Sequence, residues 1–268
     1  MLFVKVPAIN GLGRTKGCER APEAIIKALD EIWSNESGKE INIKNFKIEE
    51  IKINNSDIKE SNKTLYNEAK KIFEENKKNK KIIFLGGDHS ITYSLFLAFK
   101  KKFQNKSLGI LIFDAHADCV NNFKPPTNED WLRVLIEEGF PATNVILVGA
   151  RNVFRNKQER DFLKRINIFS CKELFEDFKG SCNLIMEAAR KFDPLYISVD
   201  IDVLDPAFAP GTSYLEPAGL TSRELIFILQ HLIMLKNLKA IDLVEINPEK
   251  DINNITVKLG AKIIAELN

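Results

Sequence analysis

The sequence predicts a single α/β domain, spanning residues 1–268, built around a doubly wound parallel β-sheet. Short apolar runs rich in β-branched residues alternate with segments of helical periodicity along the whole chain. The connections are short, and no linker, repeat or low-complexity segment divides them. Three apolar runs lead directly into acidic and histidine side chains, as strands do when the carboxyl edge of an open parallel sheet carries a site. We therefore expect one layered domain with right-handed crossovers.

The composition is that of an ordinary soluble globular protein, with 44% hydrophobic and 28% charged residues. The 39 basic and 37 acidic side chains leave a net charge of +2, and the short lysine cluster at residues 77–81 is interpreted as a solvated face. No apolar run is long enough to cross a membrane, and no signal peptide is evident. We expect a cytoplasmic protein without a nucleic-acid or membrane partner.

The four cysteines are Cys18, Cys119, Cys171 and Cys182, and no two of them form a Cys-x-x-Cys pair. This spacing indicates neither a zinc knuckle nor a disulfide framework, so free thiols are expected. Cys119 directly follows a candidate ligand, Asp118, and is interpreted as a packing residue behind the site.

The elements of the N-terminal half follow from periodicity and from start signals. Strands are predicted at residues 2–6, within 41–53, at 81–85 and at 108–112, and helices near 21–26 and at 62–76 and 92–102. Pro22 in the first turn marks the start of the first helix. The glycine-bearing loop at residues 7–17 lacks the spacing of a phosphate-binding loop, which argues against nucleotide binding.

The C-terminal half continues the same alternation. Helices are predicted at residues 128–138, 157–164, 183–191 and 222–235 and after Pro248, and strands at 145–149, 166–169, 195–199 and 238–244. Thr127 or Asn128 is the expected cap of the first of these helices. Thr221 and Glu224 form the pattern of a capping box at the start of the fourth.

Six side chains at strand ends are candidate metal ligands: His89, Asp114, His116, Asp118, Asp200 and Asp202. Each short motif alone is common in surface turns, but all three follow predicted strands and would meet at one edge of the sheet. The set is too large and too rich in carboxylates for a single zinc ion. It suits two hard divalent ions of the manganese type that share bridging carboxylates.

A binuclear phosphoesterase is the alternative metal enzyme. It would need further histidines late in the chain, and only His231 remains there, inside a predicted helix where a packing or surface role is expected.

Three segments resemble the signatures of the arginase/agmatinase (ureohydrolase) family. They are Gly86-Gly87-Asp88-His89-Ser90, Asp114-Ala115-His116-Ala117-Asp118 and the long run from Ser198 through Asp205-Pro206 to Thr212. The resemblance implies a three-layer α/β/α fold with a parallel sheet of about eight strands. It also implies two Mn²⁺ ions, hydrolysis of a C–N bond in a guanidino or amidine substrate to release urea and an amine, and a homotrimer or homohexamer.

The resemblance also implies roles for individual residues. One ion would be held by His89, Asp114, Asp118 and Asp200, and the other by Asp114, His116, Asp200 and Asp202. Glu245 would pair with the planar guanidinium of the substrate. Asp118 would take the proton of the attacking water and deliver it to the departing amine. Asp205 is not a ligand in the family and is expected to support the turn before Pro206.

The sequence departs from the family pattern at three places. Val120 stands where arginases have an asparagine that helps to hold the substrate α-carboxylate, and Ser213-Tyr214-Leu215 alters the usual Gly-Thr-Gly-Thr-Pro run. No histidine lies between Asp118 and Gly149, where most ureohydrolases carry one for proton transfer or substrate positioning. Glu129 and Asp130 are candidates to replace it, although both acids also suit the first turn of a helix.

These departures leave the substrate open. They also keep a second interpretation, namely a metal-binding homologue that hydrolyses weakly or not at all and acts as a binding or regulatory protein.

Overall fold

Eight parallel strands form one sheet in the computed structural model, which describes residues 1–76 and 80–268. The strands are β1 (Leu2–Val6), β2 (Lys47–Glu50), β3 (Ile82–Gly86), β4 (Gly109–Phe113), β5 (Val145–Ala150), β6 (Asn167–Ser170), β7 (Leu195–Asp200) and β8 (Leu238–Val244). Their order across the sheet is β2-β1-β3-β8-β7-β4-β5-β6, and every neighbouring pair is parallel. This architecture confirms the predicted fold class and strand number.

Helices cover both faces of the sheet. They are α1 (Ala21–Leu29), α2 (Ile58–Glu75), α3 (Ile91–Lys102), α4 (Trp131–Glu137), α5 (Lys157–Leu163), α6 (Cys171–Glu176), α7 (Phe178–Arg190), α8 (Ser222–Leu232) and α9 (Ile255–Glu266). Alternate strand residues point to opposite faces, so Ile83 and Leu85 pack with α1 and α6 to α9, while Ile82 and Phe84 pack with α2 to α5. Burial of each such side chain contributes roughly 1.5–3 kcal/mol to folding. The domain is therefore a three-layer α/β/α sandwich.

Several predicted boundaries differ from the structure. The strand predicted within residues 41–53 is restricted to Lys47–Glu50, and the helix predicted from residue 62 already begins at Ile58, where the Asp57 side chain accepts a hydrogen bond from Glu60 N–H. The helix predicted from residue 183 begins at Phe178, and α6 was not predicted. A capping box of Ser170 and Glu173 starts α6, and this pattern in the sequence indicates the start of a helix.

The helix predicted at residues 128–138 starts at Trp131, and neither Thr127 nor Asn128 caps it. Instead the Asp130 carboxylate accepts hydrogen bonds from the backbone N–H and the hydroxyl of Thr127, at 2.5 and 2.6 Å. Because these local bonds compete with the helix, residues 127–130 form a turn.

The structure bears differently on the predictions about the lysine cluster and about membrane-spanning segments. The lysine cluster at residues 77–81 lies largely outside the described residues. Within the described ranges, no helix is both long and apolar enough to span a bilayer.

The connectivity of the sheet gathers the candidate residues at one edge. The chain passes from β3 to β4 and later returns with β7 and β8 between them, so β3, β8, β7 and β4 are neighbours. His89 follows β3, Asp114 follows β4, Asp200 ends β7 and Glu245 follows β8. Crevices above the carboxyl ends of strands at such a reversal are the usual binding sites of open α/β sheets.

Candidate metal centre and substrate cleft

Three carboxylates surround one nitrogen of His89. Its Nδ1 lies 2.9 Å from Asp118 Oδ2 and 3.2 Å from both Asp114 Oδ2 and Asp200 Oδ2. The ring is buried, and Nδ1 has no hydrogen-bond partner with acceptable geometry among the described residues. A buried, unpaired nitrogen that faces three carboxylate oxygens is the arrangement that a shared cation would satisfy.

The second histidine lies beside the same carboxylates. His116 Nδ1 is 2.9 Å from Asp202 Oδ2 and 3.5 Å from Asp114 Oδ1. Ligand-type atoms of Asp114, His116 and Asp202 lie within 4.8 Å of one another, as do those of His89, Asp114 and Asp200. The structure therefore brings all six predicted side chains together around Asp114, and their role as metal ligands remains a prediction.

The pKa shifts of these carboxylates are those of a crowded, buried acidic cluster. Burial, followed by the charges of Asp202 and Asp114, raises the pKa of Asp200 well above its usual value. Burial and the nearby Asp114 raise the pKa of Asp118 to about 7. Burial opposes ionisation of Asp114 too, but His116 and His89 hold its pKa below the usual range. Such a donor set fits divalent cations, which favour ionised carboxylates.

Two of the candidate residues have strained backbone conformations. Asp118 and Glu245 have φ angles of +47° and +63°, in the left-handed region that non-glycine residues seldom adopt. Such conformations cost on the order of 1–3 kcal/mol and persist where the surroundings enforce them. At Asp118 the surroundings include Trp131, whose indole N–H donates to Oδ2 at 2.6 Å.

Glu245 is a buried carboxylate beside the candidate ligand His89. Its Oε1 accepts hydrogen bonds from His89 N–H at 2.9 Å and from Asn128 Nδ2 at 3.1 Å. Burial and the charge of Asp88 raise its pKa well above the usual value. No lysine or arginine of the described chain forms a salt bridge with it. A buried carboxylate without a cation is costly, which is consistent with a cationic group arriving with a ligand.

The family model described as "Arginase family" matches residues 1–268, the whole of the chain. The chain belongs to the arginase family. The sequence is 35% identical to mitochondrial arginase 1 of Arabidopsis thaliana over 191 residues, which is 69% of this chain and 53% of that protein. The chain thus matches only about half the length of the plant arginases to which it is similar.

Solved structures of the arginase family share the fold along the whole chain. The formimidoylglutamase from Bacillus subtilis has a TM-score of 0.89 at 25% identity, covering 99% of this chain and 85% of that one. The proclavaminate amidino hydrolase from Streptomyces clavuligerus has a TM-score of 0.86 at 26% identity, covering 99% and 89%.

A hydrogen-bond network that was not predicted from the sequence supports His89 in this arginase-family site. Its Nε2 lies 2.9 Å from Ser198 Oγ, and that hydroxyl donates to Asp242 Oδ1 at 2.5 Å. Asp242 is fully buried and also accepts from Tyr196 OH and Thr92 Oγ1. Because the serine hydrogen is committed to Asp242, its oxygen accepts from Nε2–H, which leaves the Nδ1 lone pair facing the carboxylates.

The loop before His89 is fixed by its neighbour Asp88. The buried Asp88 carboxylate accepts hydrogen bonds from Asn10 N–H, Thr15 Oγ1 and both the N–H and hydroxyl of Ser90. The glycine-bearing loop at residues 7–17 is thereby tied to the candidate metal centre, so this loop has a structural role.

A cleft of about 220 Å³ opens above the candidate metal centre. Among the residues that line it are Arg14, Ala117, Cys119, Val120, Asn128, Glu129, Asn152, Val153, Phe154, Arg155, Glu159, Tyr214 and Glu216, together with candidate ligands. The wall is apolar at Val120, Val153 and Phe154. On another part of the rim, Glu129 Oε1 accepts hydrogen bonds from Arg14 Nη1 at 2.8 Å and from Tyr214 OH at 2.9 Å.

The two loop acids have different surroundings. Asp130 is fully buried, and its carboxylate is engaged by Thr127 and by the backbone N–H of Phe123. It does not line the cleft, so its proposed role as a substitute for the missing histidine is not supported. Glu129 does line the cleft.

The remaining residues singled out in the sequence lie as follows. Asp205 accepts hydrogen bonds from the backbone N–H groups of Ala207, Ala218 and Gly219, so it supports the turn. His231 lies on α8, where its Nδ1 is 2.8 Å from the carbonyl oxygen of Phe227. All four cysteines are free thiols, and Cys119 is buried.

Proposed function

We propose that this protein is a binuclear manganese hydrolase that cleaves a C–N bond of a guanidino or amidine substrate. The products would be urea, or the corresponding amide, and an amine. The observation that carries the proposal is the buried Nδ1 of His89, which faces three carboxylate oxygens, together with the buried carboxylate of Glu245, which forms no salt bridge with the described residues. Membership of the arginase family supports it.

The residues that would hold the ions are the six that converge on this edge. His89, Asp114, Asp118 and Asp200 would hold one ion, and Asp114, His116, Asp200 and Asp202 the other. When bound, a pair of divalent ions lowers the pKa of water so that a nucleophile is available near neutral pH.

The protein side chains then bind the substrate and handle its protons. Glu245 would accept hydrogen bonds from the amidinium group and orient its carbon toward the metal centre. Trp131 fixes Oδ2 of Asp118, while Oδ1 accepts no hydrogen bond from the described residues. Oδ1 is therefore the atom we assign to accept the proton of the attacking water and to return it to the leaving amine.

The test combines metal analysis with a substrate panel. Manganese-loaded protein should contain two ions per chain and release an amine from at least one guanidino or amidine compound. The panel should include arginine, agmatine and a formimidoyl compound. A stable content of one ion per chain, or an obligatory single zinc, would contradict the binuclear proposal.

We expect agmatine or another compound without an α-carboxylate to be a better substrate than arginine. Val120 lines the cleft and can neither donate to nor accept from a carboxylate. A hydrogen bond to a charged group contributes about 1.5–3 kcal/mol. Because the α-carboxylate of arginine would lack this bond, kcat/KM should be about 10–100-fold lower for arginine than for agmatine. The ratio of kcat/KM for the two substrates is the measurement. Val120→Asn should shift this ratio toward arginine, and a wild-type preference for arginine would contradict the prediction.

Glu129→Gln should lower kcat by about 10²–10⁴-fold if Glu129 replaces the loop histidine in proton transfer. Its carboxylate lines the cleft and is held by Arg14 and Tyr214, so its position is fixed. Rates should be compared at equal manganese occupancy. Glu137→Gln is a suitable control, because Glu137 is half-exposed on α4 and bonds to Arg133 and Asn122 away from the cleft. A loss of less than tenfold would show that Glu129 does not replace the histidine.

A metal-binding homologue without hydrolysis is the second candidate function. The observation that favours it is the absence of a histidine between residues 118 and 149. Two bound ions together with no product from the whole panel would support this function over the first.

We also propose a homotrimer or homohexamer and a cytoplasmic location. Sedimentation equilibrium of the manganese-loaded protein measures the first, and cell fractionation the second.

A further inference from the structure

The Nε2 atom of His116 contacts a carboxylate, whereas the Nε2 atom of His89 contacts a hydroxyl group. His116 Nε2 lies 3.2 Å from Glu216 Oε1, whereas His89 Nε2 lies against the hydroxyl of Ser198. We propose that Glu216 is a positioning residue for His116, accepting its Nε2–H so that the Nδ1 lone pair is directed at the second metal ion. This inference rests on the proposed function, because it takes His116 to be a ligand.

The contacts of the imidazole define which nitrogen carries hydrogen. An ionised carboxylate only accepts hydrogen bonds, so the nitrogen beside Glu216 must be N–H. The opposite nitrogen, Nδ1, faces Asp202 Oδ2 at 2.9 Å and Asp114 Oδ1 at 3.5 Å. Carboxylate partners of this type fix the tautomer of a metal-binding histidine and raise its basicity.

The Glu216 carboxylate is itself held in place. Asn152 Nδ2 donates to the same oxygen, Oε1, at 2.7 Å. The guanidinium of Arg151 donates to the backbone carbonyl of Glu216 at 2.6 Å and to that of Asp202 at 2.7 Å. One arginine therefore ties the segment that carries Glu216 to the turn that carries a candidate ligand of the same ion.

The two histidines thus depend on different kinds of support. His89 relies on a neutral hydroxyl backed by the fully buried Asp242. His116 relies on a direct contact with a half-buried carboxylate in the wall of the cleft. Loss of charge at Glu216 should therefore lower the affinity for the ion bound by His116 and leave the affinity for the other ion unchanged.

A simple ion pair is the alternative explanation of the contact. Burial opposes it, but the charges of Asp202 and Asp114 raise the pKa of His116 well above its usual value, so the metal-free ring can be a cation. An ion pair of that kind would stabilise the metal-free protein, so its loss would leave manganese affinity unchanged or raise it. Metal affinity therefore separates the two explanations.

The experiment is a calorimetric titration of Mn²⁺ into the metal-free full chain, comparing wild type with Glu216→Gln. Glutamine keeps the size of the side chain and an oxygen that can accept from Asn152, so the fold should be retained, as circular dichroism can verify. We expect one of the two sites to weaken by about 10–100-fold while the other changes by less than about threefold.

Two further variants control for indirect effects. Glu137→Gln removes a half-exposed carboxylate elsewhere and should leave both affinities unchanged. Asn152→Ala removes a hydrogen bond of Glu216 without removing the His116 contact, and should weaken the same site by less than tenfold. Affinities in Glu216→Gln that equal or exceed those of the wild type, or an equal loss at both sites, would overturn the inference.

The outcome for the wild type separates the two proposals. If wild-type protein binds two ions but Glu216→Gln binds them equally well, only the role of Glu216 fails. If the wild type binds no second ion, the proposed function and this inference fail together.

Discussion

Asp200→Asn is expected to weaken manganese binding at both sites together and to lower hydrolysis by about 100-fold or more. Asp200 Oδ2 lies 3.2 Å from His89 Nδ1, and its Oδ1 accepts a hydrogen bond from Asp202 N–H at 2.8 Å. The carboxylate therefore stands between the two groups of candidate ligands. Since even an outer partner of a metal ligand contributes 10–100-fold to affinity, loss of a bridging ligand should cost at least the upper end of that range.

The same substitution should not destabilise the metal-free protein. The pKa of Asp200 is raised in the folded state, mainly by burial, so its ionised form opposes folding at neutral pH. The amide resembles the protonated acid and removes that opposition. Metal content by mass spectrometry and the melting temperature of metal-free protein measure the two effects.

Asp205→Asn is the matched control for Asp200→Asn, because Asp205 lies in the same segment but holds only backbone N–H groups. It should retain two ions per chain. If Asp200→Asn loses only one ion and keeps the affinity of the other, Asp200 is a terminal ligand and the bridging assignment is wrong.

Glu245→Gln is expected to lower kcat/KM by about 10²–10⁴-fold while raising the melting temperature of the metal-free protein. Two charge-assisted hydrogen bonds to an amidinium, at about 1.5–3 kcal/mol each, account for the loss. The metal-free protein should become more stable. Burial and Asp88 raise the pKa of Glu245, so the carboxylate opposes folding at neutral pH and its amide does not.

The measurements for Glu245→Gln are steady-state kinetics with the best substrate and thermal unfolding without metal. A rise of about 2 °C or more corresponds to roughly 1 kcal/mol in a domain of this size. Glu249→Gln is the control, since Glu249 is partly exposed and pairs with Arg20. Unchanged kcat/KM in Glu245→Gln would exclude a contact between this carboxylate and the substrate.

The central strands could be predicted closely because buried parallel strands appear as continuous apolar runs. The bounds of β8 agree with the sequence prediction, β3 and β4 are each shifted by one residue, and β7 extends one residue further. Helix α6 was missed because six residues are too few to show a periodicity. The start of α4 was wrong because Asp130 bonds to Thr127 instead of leaving that residue to cap the helix.

The positions of the six candidate ligands could be predicted because they directly follow strands. Their supporting residues could not, since those contacts join distant parts of the chain. Ser198 meets Asp242 across neighbouring strands, and His116 meets Glu216 from different loops. No spacing within a single sequence marks such pairs, and they depend on which strands are neighbours and how the loops pack.

The separation between strand ends and loops has a consequence for how this protein can diverge. The side chains assigned to chemistry stand at the ends of β3, β4, β7 and β8, whereas loops supply wall residues such as Val120, Phe154 and Tyr214. Partly exposed loop residues can usually be exchanged at a cost within about 0.5 kcal/mol, while buried charged groups cannot. A lineage carrying this chain could therefore acquire new substrates one loop substitution at a time and inherit the proposed hydrolytic centre unchanged.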